Sequence, residues 1–105
     1  MKLSGAMALV LLLTNAAHAQ DGGEPVRGRE VARVNCSTCH AVSRNDQLSP
    51  NPSAPPLQRL ADAPGVTAMA LNHLMHSAHK TMPLIVLAPE DQRHLIAYIL
   101  SLRSR

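Results

Sequence analysis

Two stretches of the chain repeat apolar residues at helical spacing. Leu71, Leu74, Met75 and Ala78 stand at i, i+3, i+4 and i+7, which predicts a helix from Thr67 to Ala78 with Thr67 as its N-cap. Leu95, Tyr98, Ile99 and Leu102 form a second stripe, widened by Ile96 and Leu100. This predicts a last helix from Pro89 to about Leu102, with Pro89 at its first position. Glu90 and Asp91 suit its positive end, and Arg103 and Arg105 its negative end. A first helix is predicted from Gly28 to Ala41, where Val31 and Val34 stand three apart. Val42 to Pro56 holds Pro50, Pro52, Pro55 and Pro56, which exclude both helix interior and central strand and so predict a loop. Leu57 to Ala61 predicts a turn or two of helix, and His79 to Leu87 a second loop. No alternating run and no hairpin signal appears. The expected fold class is all-α, with three main helices and long loops.

The first nineteen residues read differently. Met1-Lys2 is a short positive region, Ala6 to Leu13 an apolar one, and Ala17-His18-Ala19 a cleavage sequence. The apolar run is too short, and too soon interrupted by Thr14 and Asn15, to span a bilayer. The expectation is a cleaved secretory signal peptide over 1–19; an uncleaved anchor is the alternative. A polar, flexible tail follows over 20–27 and a single domain over 28–105. With no cysteine at the cleavage site and no later apolar stretch long enough to span, a mature chain in the periplasm is expected.

Composition then sharpens the picture. Cleavage leaves 105 − 19 = 86 residues, a size at which one core is marginal without a staple or cofactor. There is no Trp and no Phe, and Tyr98 is the only aromatic residue. Such a chain has little with which to fill the middle of a core. The mature chain carries 9 Lys and Arg against 7 Asp and Glu, a balance of +2. With no dense basic cluster and no stacking aromatics, nucleic acid is excluded as a partner.

The candidate chemistry is concentrated in Cys36-Ser37-Thr38-Cys39-His40. C-x-x-C-H is the attachment sequence for c-type haem: two thiols add across the vinyl groups and the next imidazole reaches the iron. C-x-x-C alone also suits a disulfide, half a zinc site or a thioredoxin-like redox pair. A zinc site needs further ligands, for which only His73, His76, His79 and His94 are at hand. A thioredoxin-like site needs a βαβ setting that the pattern lacks.

On these residues the chain resembles the class I cytochrome c family. Its motif lies near the mature N-terminus, unlike that of the four-helix-bundle c-type cytochromes. Gly28 precedes the first thiol by eight residues. Ala54-Pro55-Pro56-Leu57, Met82-Pro83 and the run Leu95 to Leu102 match the family's proximal segment, distal ligand motif and last helix. The resemblance covers nearly all of the mature chain. It departs at Ala32, where many relatives carry an aromatic, and at Ala88, where an N-cap Ser or Thr is usual.

The resemblance implies one covalent haem c held by Cys36 and Cys39, with His40 as proximal and Met82 as distal iron ligand. A thioether favours ferrous iron and raises the potential. His79 and an open site compete with Met82, while Met69 and Met75 read as core residues and His73 and His76 as solvated. Pro55 is the candidate carbonyl acceptor for the His40 ring N–H, with Pro52 and Pro56 as competitors. Lys80, Arg59 and Arg44 are candidates to pair with the haem propionates, or are plain surface charges. Gly28 is expected to let the first and last helices approach closely. The function implied is one-electron transfer between redox proteins, a dehydrogenase or reductase as donor and an oxidase or bc-type complex as acceptor, as in a respiratory chain. The alternatives are a dedicated cytochrome subunit of a periplasmic dehydrogenase, and an open-site ligand sensor or peroxidase. The protein is expected to be no enzyme itself, and a monomer or a subunit of a complex.

Overall fold

The computed structural model describes residues 22–77 and 81–104. The expected signal peptide lies outside them, as do Ala78, His79, Lys80 and Arg105. Among the described residues there are four helices and no strand: α1 Pro25–Asn35, α2 Leu57–Asp62, α3 Ala68–Met75 and α4 Pro89–Ser101. α1 and α4 form the main crossing, and α2 and α3 each pack on α4. No described helix is long and apolar enough to cross a membrane.

α1 begins three residues before the expected Gly28, inside the segment read as a tail. Pro25 occupies its first turn with a φ preset for helix, and no side chain caps it. Instead the Glu24 N–H donates to His94 Nδ1 of α4 at 2.9 Å, so a free helix-end donor is satisfied across the crossing. α1 also stops earlier than expected, before the first thiol. The Cys36 N–H still bonds Ala32 O at 2.8 Å, but the Cys39 and His40 N–H groups both turn back onto Cys36 O at 3.2 and 2.9 Å. The C-x-x-C-H run is therefore a turn following α1, not its last turns.

The face α1 buries is Gly28 and Ala32, not the valines. Val31 is half-buried, and Val34 is 62% exposed. The cause is how closely the helices approach. A Cβ on Gly28 would lie 1.8 Å from the His94 carbonyl oxygen and 2.6 Å from Tyr98 Cβ. Only a residue without a side chain fits there, and Ala32 one turn on is fully buried.

On α4 the expected stripe is the buried one: Leu95, Ile96, Tyr98, Ile99 and Leu102 all belong to the core, joined by Leu57, Ala61 and Leu71. Pro89 is in its first turn with Glu90 and Asp91, and Ala88 supplies no side-chain cap. Its far end is tied to other segments. The Arg44 guanidinium donates to Leu102 O at 3.4 Å and to Ser101 O. Arg103 donates to Ala61 O at 3.2 Å and to Val66 O, and Ser104 bonds Asp62 through its N–H and hydroxyl at 2.6 and 2.8 Å.

α3 starts as expected, with Thr67 Oγ1 accepting from the Ala70 N–H at 3.1 Å. It ends at Met75, before the expected Ala78. The His76 N–H and the Ser77 hydroxyl both bond His73 O, at 3.1 and 2.8 Å, so the carbonyl that the Ser77 N–H would use in a continuing helix is claimed by a tight turn and a side chain. Leu71 is its buried residue, and Met75 packs against the core. Met69, read from the sequence as core, is 82% exposed because it lies two positions from Leu71 and so on the other side of the helix.

Candidate functional site

A cavity of about 310 Å³ opens where the end of α1, the proline loop, α2, α3, α4 and the segment around Met82 meet. Cys36, Cys39, His40, Pro55 and Met82 all line it. Its walls are mostly core aliphatics, among them Leu57, Leu71, Leu95 and Ile99, with a few neutral polar groups such as Asn51 and Thr81.

Each candidate side chain is positioned by local structure. Cys36 and Cys39 are free and half-buried, brought to one wall by the turn after α1. Burial pushes the Cys36 thiol up, away from the thiolate form. His40 Nδ1 lies 2.7 Å from the Pro55 carbonyl oxygen. A carbonyl only accepts, so this nitrogen carries a proton, and in the neutral ring the lone pair lies on Nε2. Pro52 and Pro56, the competing acceptors, have no such contact with the ring.

The backbone around His40 is pinned residue by residue. The Asn51 N–H donates to Cys39 O at 3.0 Å, and the Leu57 N–H to Ala41 O at 2.9 Å. The Ala41 N–H donates to Ser49 Oγ at 3.0 Å. The Tyr98 hydroxyl donates to Val42 O at 2.6 Å from across the molecule. The Ser49 and Tyr98 contacts were not foreseen. Both residues read as ordinary loop and core positions, and nothing local marks the partner of a hydroxyl 56 residues away.

Met82 is half-buried on the cavity wall between Thr81 and Pro83. Met75 reaches the same cavity, which its helical stripe did not reveal. His79 lies outside the described residues. His73 and His76 are exposed and absent from the walls; His76 Nδ1 instead faces Asn72 O at 2.7 Å. His94 is buried at the α1–α4 crossing rather than at the cavity. The zinc alternative thus finds none of these three beside the thiols. Of the cations considered for propionates, Arg44 is spent on the end of α4 and Arg59 is exposed and off the cavity wall.

A family model for cytochrome c matches residues 25–103. The chain belongs to the cytochrome c family. No curated protein and no solved structure gave a significant match. Membership makes this a haem-based electron-transfer protein whose cofactor is covalently bound haem c and which works with redox partners. The residues present fit that group. The two thiols are free, the imidazole is oriented by its Nδ1 contact with Pro55 O, a thioether stands on the same cavity, and the walls are mostly apolar.

Proposed function

We propose that this cytochrome c is an exported, periplasmic carrier that passes single electrons between redox proteins. Cys36 and Cys39 would hold the haem as thioethers, and His40 and Met82 would ligate its iron. When bound, the haem supplies the one-electron couple at its iron. The protein's part is to fix the ligands and exclude water. The observation that carries the reading is the 2.7 Å contact from His40 Nδ1 to Pro55 O. It orients the ring, leaves Nε2 free as a donor and raises its basicity, as metal-bound histidines require. Met82, on the same cavity, supplies a soft sulfur that favours the ferrous state. Export through a cleaved signal peptide follows from the sequence of residues 1–19 and suits thiols that must meet haem outside the cytoplasm.

A second reading, a dedicated subunit of a periplasmic dehydrogenase, is favoured by one observation. Leu84 and Val86, just beyond Met82, are 56% and 87% exposed. Apolar side chains beside a redox site suit a lasting partner more than solvent.

The test is the absorption spectrum of the oxidised holoprotein beside that of Met82→Ala and Met75→Ala. The expected result is a low-spin spectrum with a weak red sulfur-to-iron charge-transfer band, lost in Met82→Ala and kept in Met75→Ala. Loss of the band in Met75→Ala alone reassigns the ligand. A low-spin spectrum indifferent to both variants points to a second histidine, and a high-spin one to an open site.

A further inference from the structure

Tyr98 is the one aromatic residue of the chain, and its ring has an evident structural use. It packs in the core, and its Cβ lies against the Gly28 backbone at the α1–α4 crossing. Packing alone would be served by phenylalanine. The hydroxyl needs a separate account, because a buried O–H must be bonded to be tolerated. It donates to Val42 O at 2.6 Å, two residues beyond His40. Burial holds the phenol above its usual range, so it stays protonated and a donor.

The other ties on residues 39–42 are short-range. Asn51, Ser49, Pro55 and Leu57 belong to the proline loop and the start of α2, and Cys36 O, which accepts from the Cys39 and His40 N–H groups, directly follows α1. Those ties fix the segment relative to the loop and the end of α1. Among the described residues, the Tyr98 hydroxyl makes the one hydrogen bond from α4, the helix that all the others pack on, to residues 39–42, with Arg44 two residues on reaching the far end of the same helix. The Val42 carbonyl is also partly buried and, without Tyr98, would lose its partner.

Resting on the proposed ligation by His40, we propose that the Tyr98 hydroxyl is a positioning group for the proximal histidine. By holding Val42 O it references the segment 39–42 to α4, and so keeps the His40 ring at its 2.7 Å bond to Pro55. That bond raises the basicity of the ring and favours the ferric state. Loosening the segment weakens the bond and shifts the balance toward ferrous iron.

The experiment uses the holoprotein and compares Tyr98→Phe with Ile96→Val. The second variant trims a buried α4 residue but touches no bond to residues 39–42. Two quantities are read: the ratio of reduced to oxidised protein at fixed ambient potential, and amide hydrogen exchange. In Tyr98→Phe the ratio is expected to rise about threefold, or roughly 28 mV at 59 mV per tenfold for one electron. The Leu57 and Asn51 amides, which donate to Ala41 O and Cys39 O, are expected to exchange at least about tenfold faster, while amides within α1 and α4 keep their rates. Ile96→Val is expected to leave the ratio unchanged. The proposal is overturned if Tyr98→Phe leaves both readings alone, or if it speeds exchange evenly along the chain as lost stability would. It is also overturned if Ile96→Val moves the ratio as much. A wrong choice of iron ligand would appear separately, in the spectrum of the unaltered holoprotein, while the two local amides still report whether Tyr98 holds the segment.

Discussion

Single side chains decide where this small fold is sensitive to its surroundings. Asp62 accepts from the Ser104 backbone N–H and from its hydroxyl, and these bonds hold its carboxyl below the usual carboxylate range. A group with a lowered folded pKa adds stability above its unfolded value, here 3.8, and loses it as pH falls through the folded value. Asp62→Asn should therefore melt below the wild type near neutrality, with the two curves converging in strong acid. Thermal melts of both holoproteins from about pH 7 to about pH 2 check this; a constant offset at all pH would assign the effect to something other than the charge. How far such contacts were legible varies with their span. That Cys36, Cys39 and His40 share one site could be read from five consecutive residues, and all three line the cavity. Met75 beside Met82 on the cavity was not legible, since a methionine on a helical stripe looks the same whether it meets a core or a cofactor.

Helices were legible where their stripe faces a broad core and less so at their ends. α4 buries the predicted face because Leu95, Tyr98, Ile99 and Leu102 all meet apolar partners. For α1 the pattern misled: the valines suggested a face, but proximity to α4 selects the smallest residues, Gly28 and Ala32. The start of α1 escaped prediction because its missing cap comes from His94, distant in sequence. α3 ends early because Ser77 competes for the His73 carbonyl. Gly28→Ala places a methyl group inside backbone atoms of α4, at 1.8 Å from His94 O. Backbone cannot yield as a flexible side-chain tip can, so the helices must separate along their whole contact. A loss of about 3 kcal/mol or more is expected, at the high end for overpacking. Denaturant unfolding of the holoprotein measures it. Gly65→Ala is the companion: with φ at +75° and nothing within 4 Å of its Cβ, it should cost only about 1–2 kcal/mol from backbone strain.

Taken together, the four helices enclose a space that the chain itself does not fill. The cavity of about 310 Å³ is bordered by Leu71, Leu95 and Ile99, apolar side chains that favour an apolar occupant over water. The absence of Trp and Phe points the same way from composition alone. Cys36→Ser with Cys39→Ser, which removes covalent attachment, should therefore lose most of its helical far-ultraviolet dichroism and its cooperative melt; retention of both would show that the chain folds without the haem. The crossing of α1 and α4 gives this dependence a direction in time. The two helices lie at opposite ends of the sequence, so a chain emerging from its N-terminus exposes Cys36, Cys39 and His40 long before α4 exists to close over them. In the closed form Cys36 is half-buried and its thiol held protonated. On the proposed roles of Cys36 and Cys39, the open chain is the form better suited to thioether formation. On that reading the last thirteen-residue helix, whose Leu95 and Ile99 line the cavity, is the piece of the wall that arrives last.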